Sequence, residues 1–511
     1  MNFNKSIAEN RGVKGSPPWP RIIILAVSVA GAVLTAGFVA AAAPNSGKSA
    51  PLVAKLEPGE AFPGGAATSK GSVDNANAFS HASGNMAFED ELKFKVGNGM
   101  FKKVWVSSPA STLASDGLGP LFNAKSCQAC HIKDGRGHPP ADNDDSSVSM
   151  LLRLSIPAPT TEAKTAGAVL EPPVKTAPEP VYGEQLQDFS VQGHDAEGKI
   201  HIVYDEKRIT LKGGETVSLR APRYSVANPA YGPLHPQTMI SPRIASPMIG
   251  LGLLEAAPES AILALADPDD KNRDGVSGRP HMIPGYKLKT TPSLGRFGWK
   301  ASTDSIFKQS AEAFAGDIGI STPIIRRPAG DCTEAQSFCR NAPHGETAGA
   351  PEIEDKLFDL VVFYSQNLAV PRRRNPDAPD VLKGKRLFAQ TGCIACHNPS
   401  FKTAESPGQP HLSNQTIWPY TDLLLHDMGD GLADNRPDGD ATGREWRTPP
   451  LWGIGLTETV NGHTFFLHDG RARNIKEAIL WHGGEAQKAR DEFAALTKRE
   501  REQLIAFVNS L

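Results

Sequence analysis

One five-residue pattern occurs twice in the chain, as Cys127-Gln-Ala-Cys130-His131 and again as Cys393-Ile-Ala-Cys396-His397. Two thiols two residues apart can reduce disulfides, hold zinc or anchor a haem. The adjacent His favours the last. In a c-type haem segment the thiols form thioethers to the vinyl groups and the His reaches the iron. Zinc modules usually place their His pair further downstream, and a redox dithiol needs no neighbouring His. Two such segments in a chain with 6 cysteines point to two covalently bound haem c groups. Zinc and a redox dithiol are the alternatives.

The chain has 511 residues, enough for two or three domains. A formal net charge of −2 gives no global field for a nucleic-acid partner. Lys5, Arg11, Lys14 and Arg21 precede an apolar run over 22–43 that ends in small residues and Pro44. This is the pattern of a signal peptide over 1–43, and it is also long enough to be a membrane anchor. Either way the rest of the chain is expected outside the cytoplasm, in the periplasm, touching a membrane only through that segment. The other two cysteines, Cys332 and Cys339, lie in DCTEAQSFCR with no His at ligand spacing. In an oxidising compartment they are expected as a disulfide, with a catalytic dithiol as the alternative.

With 48 Gly and 42 Pro, long ordered loops are expected. Residues 44–85 read as a linker. An N-terminal haem domain is expected over 86–350 and a C-terminal cytochrome c domain over 375–511. Loop and β insertions occupy about 140–235. There IHIVYDEKRITL and TVSLRAPRYSV flank a Gly-Gly turn and predict a small β-hairpin. Helical spacing marks PESAILALAD, DSIFKQSAEAFAGD, EIEDKLFDLVVFYSQNLAVP, GKRLFAQTG and LTKREREQLIAFVNSL. The expected fold is mainly α: two cytochrome c-like haem domains with long loops and that hairpin in the N-terminal one.

The segments DGLGPLFNAKSCQACHIKDGRG, GLGLLEAAPE, GRFGWKA, YTDLLLHDMGDGLAD, REWRTPPLWGIG and FFLHDGRARNIKEAILWHGGEA together resemble the di-haem oxidoreductase family. Its members are often labelled peroxidases or "thiol oxidoreductases", and it is related to the bacterial di-haem cytochrome c peroxidases. The resemblance implies that Cys127 and Cys130 carry one haem with His131 as its proximal ligand, and that Cys393, Cys396 and His397 serve the other. It places His482 where the peroxidases carry a Met on the far side of the second haem. His in place of Met lowers a haem potential. Trp299 matches the Trp lying between their haems. Their distal Glu has no clean counterpart, with Asp317 the nearest carboxylate and Gly319 at the Glu position itself.

Beside the resemblance stand the residues' own chemistries. Asp317 and Glu255, the latter in the apolar GLGLLEAAPE, are candidate acid/base groups, each also readable as a helix-end carboxylate. Trp299 is a candidate electron relay or simply core. His482 competes with His426 and Met428 for the second iron. His468 reads as structural or propionate-side, and Arg447, Arg471 and Arg473 as propionate partners or surface ion pairs. Asp270, Asn272 and Asp274 alternate as in the first half of a calcium loop. His281 stands where an EF-hand has its closing Glu, so an Asp/Asn-rich turn is the other reading. The function expected is an exported, peroxidase-like di-haem oxidoreductase that exchanges electrons with a small redox protein or small molecule. The alternative is a pure electron carrier with both haems six-coordinate.

Overall fold

A computed structural model describes residues 55–112, 115–146, 149–158, 175–284, 291–347 and 349–511. In chain order its principal elements are helix α1 (Phe88–Phe101), strands β1 (Met150–Pro157), β2 (Lys199–Thr210), β3 (Thr216–Ala227) and β4 (Met239–Ile244), helices α2 (Ile306–Ala313), α3 (Asp355–Asn367) and α4 (Pro379–Gln390), strands β5 (Leu425–Asp427) and β6 (Glu445–Arg447), and helices α5 (Ile475–Trp481) and α6 (Lys498–Ser510). Short 3-10 turns and loops join them.

Two helix crossings organise the molecule. In α1, Glu89, Asp90 and Glu91 occupy the first turn, where the helix dipole favours negative charge. In α3, Phe358, Val361, Val362 and Ser365 are buried along one side. The two helices cross at Gly97, where any Cβ would run into the Leu360 carbonyl. The second crossing repeats the first. Helix α6 starts with a capping box of Thr497 and Glu500. It meets α4 at Gly384, where a Cβ would strike the Gln503 carbonyl. Each crossing sets an aromatic ring beside a Cys-x-x-Cys-His histidine. Phe101 is 6.2 Å from the His131 ring, and Phe388 is 5.9 Å from that of His397.

The expectation of a mainly α chain is not met. Among the described residues helix accounts for 28% and strand for 18%, the strands spread over seven small sheets. β-branched runs and abundant Gly and Pro break helical periodicity, so short strand pairs wall the space between the helix crossings. Strand β1 pairs antiparallel with β4, from Met150↔Ile244 to Ser155↔Met239. The hairpin is also not small. Strands β2 and β3 pair from Lys199↔Ala227 to Thr210↔Thr216, and Gly213 and Gly214 supply the left-handed turn (φ 91° and 84°). Its tip grips the C-terminal helices. The Lys212 amide donates to the Ala494 carbonyl at 3.0 Å, and Glu215 bonds Arg501 at 2.8 Å and also Lys476. Ile200, Ile202 and Leu219 therefore share one apolar core with Phe388, Phe493, Leu504 and Phe507.

Of the segment read as a linker, residues 55–85 are packed. Glu60, Ala67 and Ala78 are fully buried and Phe79 nearly so. Small residues without a period make tight turns that fit against the core as well as they make a linker. The expected signal or anchor over 1–43, including the run at 22–43, lies outside the described residues. Among those described, no helix is long and apolar enough to cross a membrane. Cys332 and Cys339 form the expected disulfide, with their Cα atoms 6.0 Å apart.

The crossing geometry is testable. Gly384→Ala should destabilise the protein by about 1–3 kcal/mol, the cost of overpacking. Gly408→Ala, where a Cβ meets open space, should change stability by less than about 0.5 kcal/mol. Denaturant unfolding followed by circular dichroism measures both, and equal effects would contradict the close approach of α4 and α6.

Candidate haem sites

Each Cys-x-x-Cys-His segment lines a cavity. The first, of about 240 Å³, is bordered by Cys127, Cys130 and His131. The second, of about 470 Å³, is bordered by Cys393, Cys396, His397 and His482. The His131 ring places Nδ1 at 2.8 Å from the Ser246 carbonyl. His397 Nδ1 lies 2.9 Å from the Tyr420 carbonyl, and His482 Nδ1 lies 2.7 Å from the Ala478 carbonyl. A carbonyl only accepts, so Nδ1 carries the proton in all three. Burial pushes His131 and His397 down to about 4 and lowers His482 as well. The rings are therefore neutral near pH 7, and the unprotonated nitrogen is Nε2. This tautomer is the one that presents a lone pair to a metal. His482 also lowers His397 electrostatically, so the two imidazoles sense one another at the second cavity.

One competitor for the second iron, His426, is otherwise engaged. His426 lies between two carboxylates, with Nε2 at 2.8 Å from Asp422 and Nδ1 at 2.7 Å from Glu485. Both ring nitrogens are spent. Burial opposes its charge, but Cys396, Asp422 and Glu485 raise it well above the ordinary range. His468 stacks on Trp446 with centroids 3.8 Å apart; it borders the second cavity, burial lowers it to about 4, and its Nε2 has no hydrogen-bond partner. Met428 lines the cavity without such a restraint. The first cavity differs. His131 is its one histidine among the described residues, and its thioethers are Met150 and Met248.

The donor set fits haem better than the alternatives. Burial pushes the Cys127 thiol to about 12 and Cys393 to about 11, and raises Cys130 and Cys396. A redox dithiol requires the opposite shift. Among the described residues the one group of metal-ligand type is Cys396, Asp422 and His426, which lacks the four-ligand set of a structural zinc and spends His426 on carboxylates. Buried cations also await an anion. Arg136 borders both cavities. Its Nε has no partner, and its NH1 makes one long bond, 3.4 Å, to the Leu467 carbonyl. Burial alone pulls it down to about 10. Arg447 borders both cavities too and is likewise lowered by burial to about 10. A haem propionate would satisfy such guanidinium groups. Arg471 is paired instead with Asp469 at 2.8 Å and Arg473 with Glu477 at 2.9 Å, and neither borders either of these two cavities. No sequence signal separated Arg136, in CHIKDGRG, from the other arginines.

Trp299 lines both cavities and donates Nε1–H to the Ile244 carbonyl at 2.9 Å. Of the candidate acid/base groups, Asp317 borders the first cavity and accepts from Gln185 at 2.8 Å. Burial raises its carboxyl against the pull of Gln185 and Arg153. Glu255 does not border it. Its carboxylate accepts from the Ile306 amide at 2.9 Å and from Gln366 at 2.7 Å, capping α2. Sequence reading passed over Glu312, on the same helix. It borders the first cavity, and burial lifts it to about 7 against the pull of Arg153 and Lys308. Its position five residues before Asp317 was the available signal. Gly319 takes the left-handed conformation (φ 76°) against Gly119, which leaves no room for a side chain. Asp270, Asn272 and Asp274 spend oxygens on the loop itself: Asp270 accepts from the Gly275 amide, Asn272 from the Asp274 amide and Asp274 from the Val276 amide. This is a capped turn, and its Asp274 and Val276 reach the rim of the second cavity.

Residues 60–511 match the family model described as "Di-haem oxidoreductase, putative peroxidase", and the chain belongs to that family. No curated protein matches it. Among solved structures, it is similar to Kuenenia stuttgartiensis hydrazine synthase pressurised with 20 bar xenon, at 18% identity and a TM-score of 0.21. That match covers 36% of this chain and 63% of the other, so this chain spans less than two thirds of it.

Replacing His482 tests its place at the second haem. His482→Met should raise that haem's potential by roughly a hundred millivolts, because a thioether favours ferrous iron over the imidazole it replaces. The first haem should be unmoved. An unchanged potential in a folded variant would show that His482 does not reach the iron.

Proposed function

We propose that the protein is an exported, peroxidase-like enzyme with two covalent haem c groups. His131 would serve the first haem, and His397 and His482 would both serve the second. The observation that carries this reading is the inequality of the two cavities. The second is bordered by three neutral imidazoles, His397, His468 and His482, whereas the first has His131 alone. With His397 and His482 both serving it, the second haem would be suited to passing electrons, and the first, served by His131, would keep a place for substrate. The competing reading, a carrier with both irons saturated, needs Met150 or Met248 to reach the first iron.

A haem with an open position supplies a site where a peroxide can accept two electrons. Reduction of hydrogen peroxide consumes two electrons and two protons and yields two waters. The chain's own part is to move protons and conduct charge. Glu312 near neutrality can take a proton from one peroxide oxygen and return it to the other, and Asp317 adds a second carboxyl to the same wall. Arg153 beside them favours the ionised form of Glu312. Trp299, bordering both cavities, is the side chain placed to couple them. Electrons would come from a small redox protein or small molecule outside the cytoplasm, with residues 22–43 as leader or anchor.

Because Glu312 acts as a base when ionised, and burial lifts it to about 7, kcat/KM for hydrogen peroxide should rise with pH through about 7 and then level. Glu312→Gln should remove that limb and lower the plateau by roughly 10²- to 10⁴-fold. A pH profile unchanged by the substitution would remove Glu312 from the mechanism. Failure of the reduced parent protein to be reoxidised by hydrogen peroxide would refute the peroxidase reading itself.

A further inference from the structure

The carbonyl that orients His397 belongs to a residue in an unusual state. Tyr420 adopts a left-handed conformation, φ 53°, which is costly for a bulky side chain and persists only where its surroundings impose it. Three restraints do so. The Thr421 and Asp422 amides donate to the Asn398 and Cys396 carbonyls at 2.9 and 3.0 Å, lashing this segment to the Cys-x-x-Cys-His segment. The Tyr420 ring packs between Phe388 of α4 and Phe507 of α6, at 6.0 and 5.5 Å. Its hydroxyl donates to Glu60 Oε1 at 2.6 Å.

Glu60 comes from the far N-terminal end of the described chain and is fully buried. The same carboxylate accepts from Lys385 of α4 at 2.7 Å, from the Glu57 amide at 3.0 Å and from Arg373. Arg373 in turn donates to Ser510 at the end of α6 at 2.6 Å. One carboxylate therefore ties the N-terminal segment, both helices of the second crossing and the Tyr420 ring.

Resting on the reading that His397 holds the second haem, we infer that Glu60 and Tyr420 are positioning residues for that ligand. They hold the Tyr420 carbonyl on His397 Nδ1 and so set the donor strength of Nε2. A firm Nδ1–H···O=C bond makes an imidazole more basic and favours ferric iron. Loosening it favours ferrous iron.

The test is a spectroelectrochemical titration of the holoprotein in four forms: parent, Tyr420→Phe, Glu60→Gln and the double variant. Tyr420→Phe keeps the ring and changes no charge. It should shift the second haem's ferrous-to-ferric ratio at fixed potential roughly three- to tenfold towards ferrous, the scale of one hydrogen bond, with the first haem unmoved. Glu60→Gln also removes a charge, which acts through space. If Glu60 works through Tyr420, its shift in the Tyr420→Phe background will be smaller than in the parent. A second haem whose potential is unmoved in Tyr420→Phe, even with a lowered melting temperature, overturns the proposal and leaves a packing role. Strict additivity of the two substitutions overturns the coupling through Tyr420. The underlying reading fails separately and visibly: the parent protein would then show no second haem to titrate.

Discussion

Everything at the two sites depends on a bond of modest strength, an imidazole Nδ1–H donated to a backbone carbonyl. It occurs at His131, His397 and His482, with three different carbonyls, those of Ser246, Tyr420 and Ala478. Each bond fixes a tautomer and, together with burial, keeps the ring neutral with its lone pair on Nε2. Where the bond is replaced by carboxylates on both nitrogens, as at His426, the ring is held charged and is lost as a ligand. The same residue type is thus sorted into ligand and counter-ion by what sits on its nitrogens.

The helices exist to bring those carbonyls and rings into place. Both crossings depend on a glycine at the point of closest approach, Gly97 and Gly384, and both present a phenylalanine to a haem-segment histidine. Between them the strands do different work. The β2–β3 hairpin binds the N-terminal part of the chain to the C-terminal helices through Glu215 and a shared apolar core. Trp299, Arg136 and Arg447 border both cavities. Burial lifts two carboxyl groups that border the first cavity, Glu312 and Asp317.

Much of this is legible in the sequence because it is local. The Cys-x-x-Cys-His segments, the hairpin strands about Gly213-Gly214, and the amphipathic stripes of α3 and α6 each declare themselves within a dozen residues. What is not legible is set by distant partners. Glu60 reads as part of an aperiodic linker, since nothing near it reveals Arg373, Lys385 and Tyr420. Glu255 and Glu312 look alike as carboxylates among small and apolar residues. Only tertiary packing makes the first a helix cap and the second a cavity group. The balance of helix and strand is illegible for the same reason: strands of two or three residues, such as β5 and β6, carry no period to read.

The central claim is that the two irons are unequal, one saturated by His397 and His482 and the other left with an open position above His131. Electron paramagnetic resonance of the fully oxidised protein measures this directly. The account predicts one low-spin and one high-spin ferric signal of equal weight. Two low-spin signals would contradict it and show that the first cavity supplies a second ligand of its own.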